Sequence, residues 1–202
     1  VQSDGKIVVV GPKWLSGSSS DFAIARYNTD GSLDTTFSGD GRQVVNIGAQ
    51  DQALAVAIQT DGKIVLGGQT CNDDFSICDV ALARLNTNGA LDTTFSGDGK
   101  VTTDFGLGDN GGFNFTLQGS KVVVTGYWHD GTSYNAAVYR YNANGSLDTT
   151  FSSDGVFSIN FGMDDFLSAV SVYSGKIYVA GYSGPSDGST NDFIAARINT
   201  DG

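Results

Sequence analysis

The sequence repeats itself with a period of about 57 residues, and such a fixed period is the signature of stacked structural repeats. The segment LDTTFS begins at Leu33, Leu91 and Leu147. A lysine recurs with the same period, at Lys6, Lys63, Lys121 and Lys176. An arginine also recurs with it, at Arg26, Arg84, Arg140 and Arg197. Because three independent markers agree, the period constrains the fold more than any other feature.

Each unit contains four short strand candidates that are bounded by Asp, Gly, Asn or Ser. In the second unit they are 43–47, 53–59, 63–68 and 80–85. Four consecutive strands joined by hairpins are typical of a propeller blade. The sequence therefore predicts an all-β β-propeller of four-stranded antiparallel blades, with three complete blades and a half in this chain. A right-handed β-solenoid is the alternative, although solenoid coils are usually shorter than this repeat.

The four units are predicted to form a single repeat array over residues 1–202. Their approximate bounds are 1–36, 37–94, 95–150 and 151–202. Propellers typically use 4–8 blades to close a ring, and the sequence starts inside a repeat, at Val1 rather than at a Met. We therefore expect the array to continue with further repeats in a longer chain.

The composition agrees with a protein made of strands and tight turns. All 22 acidic residues are Asp, which favours turns, and there are 28 Gly. The net charge is −11, and no cluster of Lys and Arg offers the positive surface that nucleic acids require. No apolar run approaches the ~20 residues of a membrane span. We therefore expect neither a nucleic-acid partner nor a membrane-spanning segment.

The string DGKIVVVG…DFAIARYNTDGSLDTTFSGDG resembles the delta-60 repeat, a bacterial β-propeller repeat of large secreted or surface proteins. The resemblance covers nearly the whole chain in four copies. It implies a propeller fold and an extracellular or bacterial cell-surface location, and it implies no defined enzymatic activity. The third copy departs from the motif, because LQGSKVVV lacks the Asp of DGK.

Cys71 and Cys78 lie in one loop of the second unit. In a protein of an oxidising compartment, two such cysteines are expected to form a local disulfide. The alternative is a pair of free thiols in a reduced protein. A zinc site is disfavoured because zinc needs about four ligands.

Calcium is the one metal that the sequence brings into question. Asn28, Asp30 and Asp34 resemble the later part of a calcium-binding propeller loop, but Arg26 stands at the first ligand position. Because a guanidinium can bind a carboxylate directly, we predict structural ion pairs instead of a metal. The predicted pairs are Arg26–Asp34, Arg84–Asp92 and Arg140–Asp148. No cofactor is expected, and calcium at Asn28, Asp30 and Asp34 is the weaker alternative.

The loop between the third and fourth strands of each unit differs completely between the copies, whereas the strands barely change. These loops contain both Trp, both Cys and the single His. Equivalent loops of a propeller emerge on one face, and variable loops of repeat proteins often form the binding surface. We therefore predict a ligand-binding face that contains Trp14, Tyr127, Trp128, His129 and Tyr182. The alternative is that these side chains merely cover the ends of the blades.

The sequence contains little that indicates catalysis. His129 is the only histidine, it lies in a turn-like loop, and no G-x-S-x-G motif supplies a nucleophile. We therefore expect a non-enzymatic binding, adhesion or scaffold module whose ligand is a protein or a carbohydrate. The alternatives are a propeller enzyme, such as one acting on polysaccharide or a quinone-dependent dehydrogenase, and a purely structural spacer.

Overall fold

The structure is a computed structural model that describes residues 1–15, 19–104, 110–187 and 189–202. In these ranges the chain forms strands and turns, without any helix that could span a membrane. The fourteen strands are β1 Ile7–Trp14, β2 Ser20–Tyr27, β3 Arg42–Val45, β4 Gln50–Ile58, β5 Ile64–Cys71, β6 Cys78–Leu85, β7 Lys100–Thr103, β8 Asn110–Gln118, β9 Lys121–His129, β10 Tyr134–Tyr141, β11 Val156–Ile159, β12 Asp164–Tyr173, β13 Lys176–Gly184 and β14 Asp192–Ile198.

The strands pair with their neighbours in the sequence to give four antiparallel blades. Blade 1 contains β1–β3, blade 2 contains β4–β7, blade 3 contains β8–β11 and blade 4 contains β12–β14. Among the described residues, one parallel pair, Ser20–Gln50, joins the sheets of blades 1 and 2, and the sheets do not close into a ring. The predicted all-β fold with propeller-like, four-stranded repeats is confirmed.

The grouping of strands into blades differs from the sequence expectation in one respect. The strand that follows each LDTTFS turn was expected to open the next blade, but β3 pairs with β2, β7 with β6 and β11 with β10. The turn causes this pairing because it folds the chain back along the strand it has just left. Leu33 bridges Tyr27, and the Arg26 N–H donates to the Gly41 carbonyl at 2.9 Å. In the described ranges, blades 2 and 3 therefore have four strands and blades 1 and 4 have three, whereas the sequence predicted three complete blades and a half.

The hydrophobic core consists of three clusters that lie between successive blades. The first cluster packs Phe22 and Ile24 of blade 1 against Ile64 and Leu66 of blade 2. The second and third clusters repeat this arrangement between blades 2 and 3 and between blades 3 and 4. Each blade is thus stabilised chiefly by its neighbours, because burial of apolar surface is the dominant favourable contribution to folding.

The glycine that ends the conserved part of each third-strand motif faces a β-bulge in the first strand of blades 2, 3 and 4. Bulges interrupt the register of β4, β8 and β12 opposite Gly68, Gly126 and Gly181. A Cβ atom on these glycines would lie 1.9, 1.7 and 1.8 Å from a backbone carbonyl oxygen of the bulged strand. Gly11 occupies the same position in blade 1, where a Cβ would meet nothing within 4 Å.

A network around the repeated arginine joins each blade to the next. Arg84 Nε donates to Asp92 Oδ2 at 2.7 Å, its guanidinium lies 4.7 Å from the centroid of the Phe95 ring, and its Nη1 donates to the Ala143 carbonyl of blade 3 at 2.5 Å. Lys63 Nζ approaches the same Asp92 oxygen at 2.9 Å. The ion pairs expected at Arg26–Asp34 and Arg140–Asp148 are also present, at 2.7 and 2.6 Å.

A serine at the end of each LDTTFS turn adds a second bond across the same junction. Ser38, Ser96 and Ser152 have φ angles of 51°, 54° and 51°, which non-glycine residues rarely adopt. Their backbone N–H groups donate to the carbonyls of Asn88, Asn144 and Asp201 at 2.8, 2.8 and 2.7 Å. The unusual backbone conformation thus directs a donor towards the following blade.

The carboxylates of this network are held in their charged form. The Lys6 ammonium, followed by the Thr36 hydroxyl, lowers the pKa of Asp34 well below its ordinary value. Burial acts to raise the pKa of Asp92, but hydrogen bonds from Thr94 and Lys63 outweigh it, and the pKa is lowered. Because these carboxylates are deprotonated more readily in the folded state than in the unfolded state, their charges contribute to stability.

We expect Gly68→Ala, Gly126→Ala and Gly181→Ala each to lower the free energy of unfolding by about 1–3 kcal/mol or more, because the added methyl group overlaps backbone. Gly11→Ala is the matched control and should change stability by no more than about 0.5 kcal/mol, as expected for a site with open space. Urea denaturation followed by tryptophan fluorescence measures both effects. Equal losses at Gly11 and Gly126 would contradict the role assigned to the bulge.

We expect Arg84→Met to lower the free energy of unfolding by about 3–5 kcal/mol, because it removes one partner of a buried ion pair. Arg42 is exposed and lies outside the repeated column, so Arg42→Met should have an effect within about 0.5 kcal/mol. Equilibrium denaturation of the two variants and the wild type provides the comparison. A similarly small effect of both substitutions would show that the network does not hold the blades together.

We expect the free energy of unfolding to decrease as the pH falls below about 4. The pKa values of Asp34, Asp92 and Asp148 are lower in the folded protein than in the unfolded chain. The stability that these charged carboxylates contribute is therefore present above the ordinary carboxyl pKa and is lost as acid protonates them. The urea midpoint, measured between pH 7 and pH 2, should fall less steeply in Asp92→Asn, which lacks one of these carboxylates. Asp98→Asn, at an exposed carboxylate, should retain the wild-type pH dependence. An unchanged slope in Asp92→Asn would rule out this source of acid sensitivity.

Candidate binding surface

The two ends of the blades carry different kinds of connection. One end, which we call the turn face, contains the turn at 59–63 and its equivalents in the other blades, the LDTTFS turns and the arginine network. At the other end, which we call the loop face, lie the connections after β1, β3, β5, β9, β11 and β13. Because strands alternate in direction along each blade, all four variable loops emerge on the loop face.

The residues considered for calcium lie on the turn face and are engaged in hydrogen bonds there. Asp30 Oδ1 accepts from the backbone N–H and the hydroxyl of Ser32 at 2.9 and 2.6 Å, and Asn28 Nδ2 donates to the same hydroxyl at 3.1 Å. Asp34 Oδ2 is bound by Lys6 and Arg26. Within the described ranges, no three His, Cys, Asp or Glu side chains come together in a group that could hold a metal ion.

The variable loop of blade 2 is closed by the predicted disulfide. Cys71 and Cys78 face each other across the β5–β6 hairpin, with an S–S distance of 1.98 Å. The tip of the loop exposes Phe75 and Ile77, with 39% and 49% of their surfaces accessible. The disulfide therefore fixes a short hairpin that presents two apolar side chains to solvent.

Apolar exposure is unevenly distributed over the protein. Large exposed hydrophobic side chains occur on the loop face at Trp14, Leu15, Phe75, Ile77, Phe161, Met163 and Tyr182. A second set lies on the outward faces of the two terminal blades, at Ile7, Val9, Val44, Tyr173, Tyr178 and Phe193. The equivalents of the second set in the central blades, such as Ile64 and Val80, are buried between blades. In the first set, Tyr182 also has such an equivalent, because Tyr127, at the same position of blade 3, is buried against Phe166 of blade 4. The exposed side chains of the other connections, such as Phe75, Ile77 and Met163, are not part of the clusters between blades.

The predicted binding residues divide by exposure. Trp14 is 60% exposed and Tyr182 is 38% exposed, so both are accessible on the loop face. Tyr127 is only 6% exposed, and Trp128 is half-buried against the core between blades 2 and 3. His129 is half-buried, and its Nδ1 accepts from the Gly131 N–H at 3.3 Å. Tyr127 and Trp128 therefore pack into the protein and do not project from the loop face.

Three of these residues belong to one aromatic cluster at the junction of blades 3 and 4. Ring centroids are 4.7 Å apart for His129 and Tyr134, 5.4 Å for Tyr127 and Tyr134, 5.3 Å for Tyr127 and Phe166, and 5.2 Å for the stacked rings of Phe166 and Tyr182. Trp14 lies on blade 1, away from this cluster. The predicted residues thus do not form one continuous ring around the face.

Sequence analysis missed Tyr134 and Phe166, which link the cluster. Phe166 lies in β12, the first strand of blade 4, and the equivalent residues of blades 2 and 3 are Gln52 and Gly111. This difference between the copies lies inside a strand, so a comparison of the loops alone could not reveal it. Tyr134 is the last residue of the variable segment 127–134, and in the structure it begins β10.

A cleft of about 430 Å³ opens beside this cluster. We call it the interblade cleft, because its walls come from the connections 130–133 and 160–163 and from Pro185 and Ser186, which follow β13. Its lining includes His129, Tyr134, Met163, Asp164 and Pro185. The volume lies within the range of small-molecule binding sites.

Neighbouring Asp130 serves the loop's own structure. Its Oδ1 accepts from the Thr132 hydroxyl and backbone N–H and from the Ser133 N–H, and its Oδ2 accepts from Asn135. Hydrogen bonds from Thr132, Ser133 and Asn135 lower the pKa of Asp130 well below its ordinary value. A carboxylate held this way caps a turn and is poorly suited to proton transfer.

Comparison with known proteins places these features in a family. The family model described as a domain of unknown function (DUF5122) beta-propeller matches residues 2–37, 59–95, 120–151 and 174–202. Among solved structures, the β-propeller domain of the Trilobed protease from Pyrococcus furiosus, reported with an open velcro topology, is similar at 11% identity and a TM-score of 0.48. The match covers 98% of this chain, which spans about half (52%) of that chain. A search of the curated proteins found no match. Because the four matched segments together cover more than half of the chain, the chain belongs to the DUF5122 beta-propeller family.

Proposed function

We propose that this chain is a non-enzymatic extracellular binding or adhesion module that recognises its ligand through the loop face. The observation that supports this most strongly is the concentration of exposed apolar side chains on that face. Most of them, namely Trp14, Phe75, Ile77, Phe161 and Met163, are outside the core clusters between blades. Exposed apolar patches on soluble proteins commonly mark interaction sites.

The structural difference between the two faces also supports the proposal. Charged and turn residues of the turn face are occupied by the network that joins the blades. The loop face is free of that requirement, and its loops differ between copies in length and in chemistry. In repeat proteins, the face on which the loops vary from repeat to repeat is often the binding face.

We further propose that the units are delta-60 repeats and that the protein is secreted or exposed on a bacterial cell surface. The repeat motif and the Cys71–Cys78 disulfide support this location, because disulfides persist mainly in oxidising compartments. The ligand is a carbohydrate or a protein. Neither calcium nor another cofactor is part of the proposal.

The test compares substitutions on the two faces. Trp14→Ala combined with Tyr182→Ala should weaken binding at least tenfold, which corresponds to about 1.4 kcal/mol. Asp61→Ala combined with Asp98→Ala changes exposed carboxylates of the turn face and should leave the affinity unchanged. Binding to a glycan array and to immobilised extracellular proteins supplies the readout.

Thermal unfolding of each variant establishes that it is folded. Binding that survives the loop-face double substitution but is lost on the turn face would refute the assignment of the face. Absence of binding to every glycan and protein tested would favour a structural spacer.

A further inference from the structure

The lining of the interblade cleft combines the rings of Tyr134 and His129 with the carboxylate of Asp164. Tyr134 is half-buried in the wall, with its ring centroid 5.5 Å from that of Phe166. Beyond Phe166, the stacked ring of Tyr182 extends the aromatic surface towards solvent. Aromatic rings of this kind present an apolar face next to a polar edge, which suits ligands that are themselves apolar on one face and polar at the rim.

The carboxylate of Asp164 offers an acceptor to a ligand in this cleft. Asp164 Oδ1 accepts from the Tyr134 N–H at 3.1 Å, and its Oδ2 has no donor in the described part of the chain. Asp165, the next residue of β12, is buried outside the cleft, and its Oδ2 accepts from the Phe161 N–H at 2.7 Å.

Charge restricts the ligand further. The described residues that line the interblade cleft include no Lys or Arg, and Asp164 contributes a carboxylate. The protein carries a net charge of −11. Ligands that carry carboxylate, sulfate or phosphate groups would therefore be repelled, whereas ligands that donate several hydrogen bonds would be accommodated.

We propose that the interblade cleft binds a neutral carbohydrate. The apolar face of a sugar ring stacks on Tyr134, and its hydroxyl groups donate to Asp164 Oδ2. His129 adds a donor from Nε2, because its Nδ1 already accepts from Gly131. This assignment rests on the proposed binding function and specifies the ligand class for one part of the loop face.

The experiment uses the whole chain and defined probes. Neutral cello-, malto- and xylo-oligosaccharides are titrated by calorimetry in parallel with oligogalacturonate, which is anionic, and chitosan oligomers, which are cationic. We expect binding of at least one neutral series, a tenfold or greater loss of affinity in Tyr134→Ala and in Asp164→Asn, and retention in Tyr134→Phe, which keeps the ring. Tyr178→Ala, at an exposed ring on the outward face of blade 4, is the matched control and should bind as the wild type does.

The outcomes separate the two proposals. Neutral-sugar binding that is unaffected by Tyr134→Ala and Asp164→Asn, but lost in the Trp14→Ala and Tyr182→Ala double variant, would overturn the cleft while leaving the loop face as the binding surface. Binding of the anionic or cationic series alone would overturn the ligand class. Binding of proteins but of no sugar would likewise refute this inference and leave the proposed function standing.

Discussion

The arrangement of blades depends on a single repeated contact, the arginine that pairs with a carboxylate of its own turn and reaches the backbone of the next blade. Arg26, Arg84 and Arg140 each place one guanidinium nitrogen on an Asp and another on a carbonyl across the junction. Each guanidinium also covers a fully buried Phe ring. Because a planar, permanently charged group satisfies all three contacts at once, lysine could not replace it.

Concentrating this contact on the turn face has a consequence for the opposite end. The strands and turns must keep their sequence to preserve the network and the cores between blades. The variable loops of the loop face carry none of the arginine and serine bonds of the turn face, so their chemistry can differ from copy to copy. Blade 2 uses this freedom for a disulfide-closed apolar hairpin, and blades 3 and 4 use it for an aromatic cluster beside a cleft.

Periodicity alone predicted the strands, the arginine ion pairs and the face on which the variable loops emerge, because these features recur in every copy. It could not predict which blade takes the strand after the LDTTFS turn, since a period does not define where a unit begins. Exposure was harder still. Tyr127 and Trp128 lie in a variable segment, yet they pack inwards. The cleft was not predicted because Tyr134 and Asp164 meet only through the stacking of two blades.

The bonds formed by the serines with positive φ and by the arginines all run in one sense along the array. Side chains and N–H groups of one blade donate, and backbone carbonyls of the next blade accept. The carbonyls that accept from the arginines belong to Thr87, Ala143 and Thr200, so the side chain at this position is not fixed. These bonds recognise only the main chain of the next blade, so they do not depend on the side chains of the unit that follows. Whole units could thus be duplicated, deleted or exchanged by recombination, each bringing its own loop and keeping the same polarity.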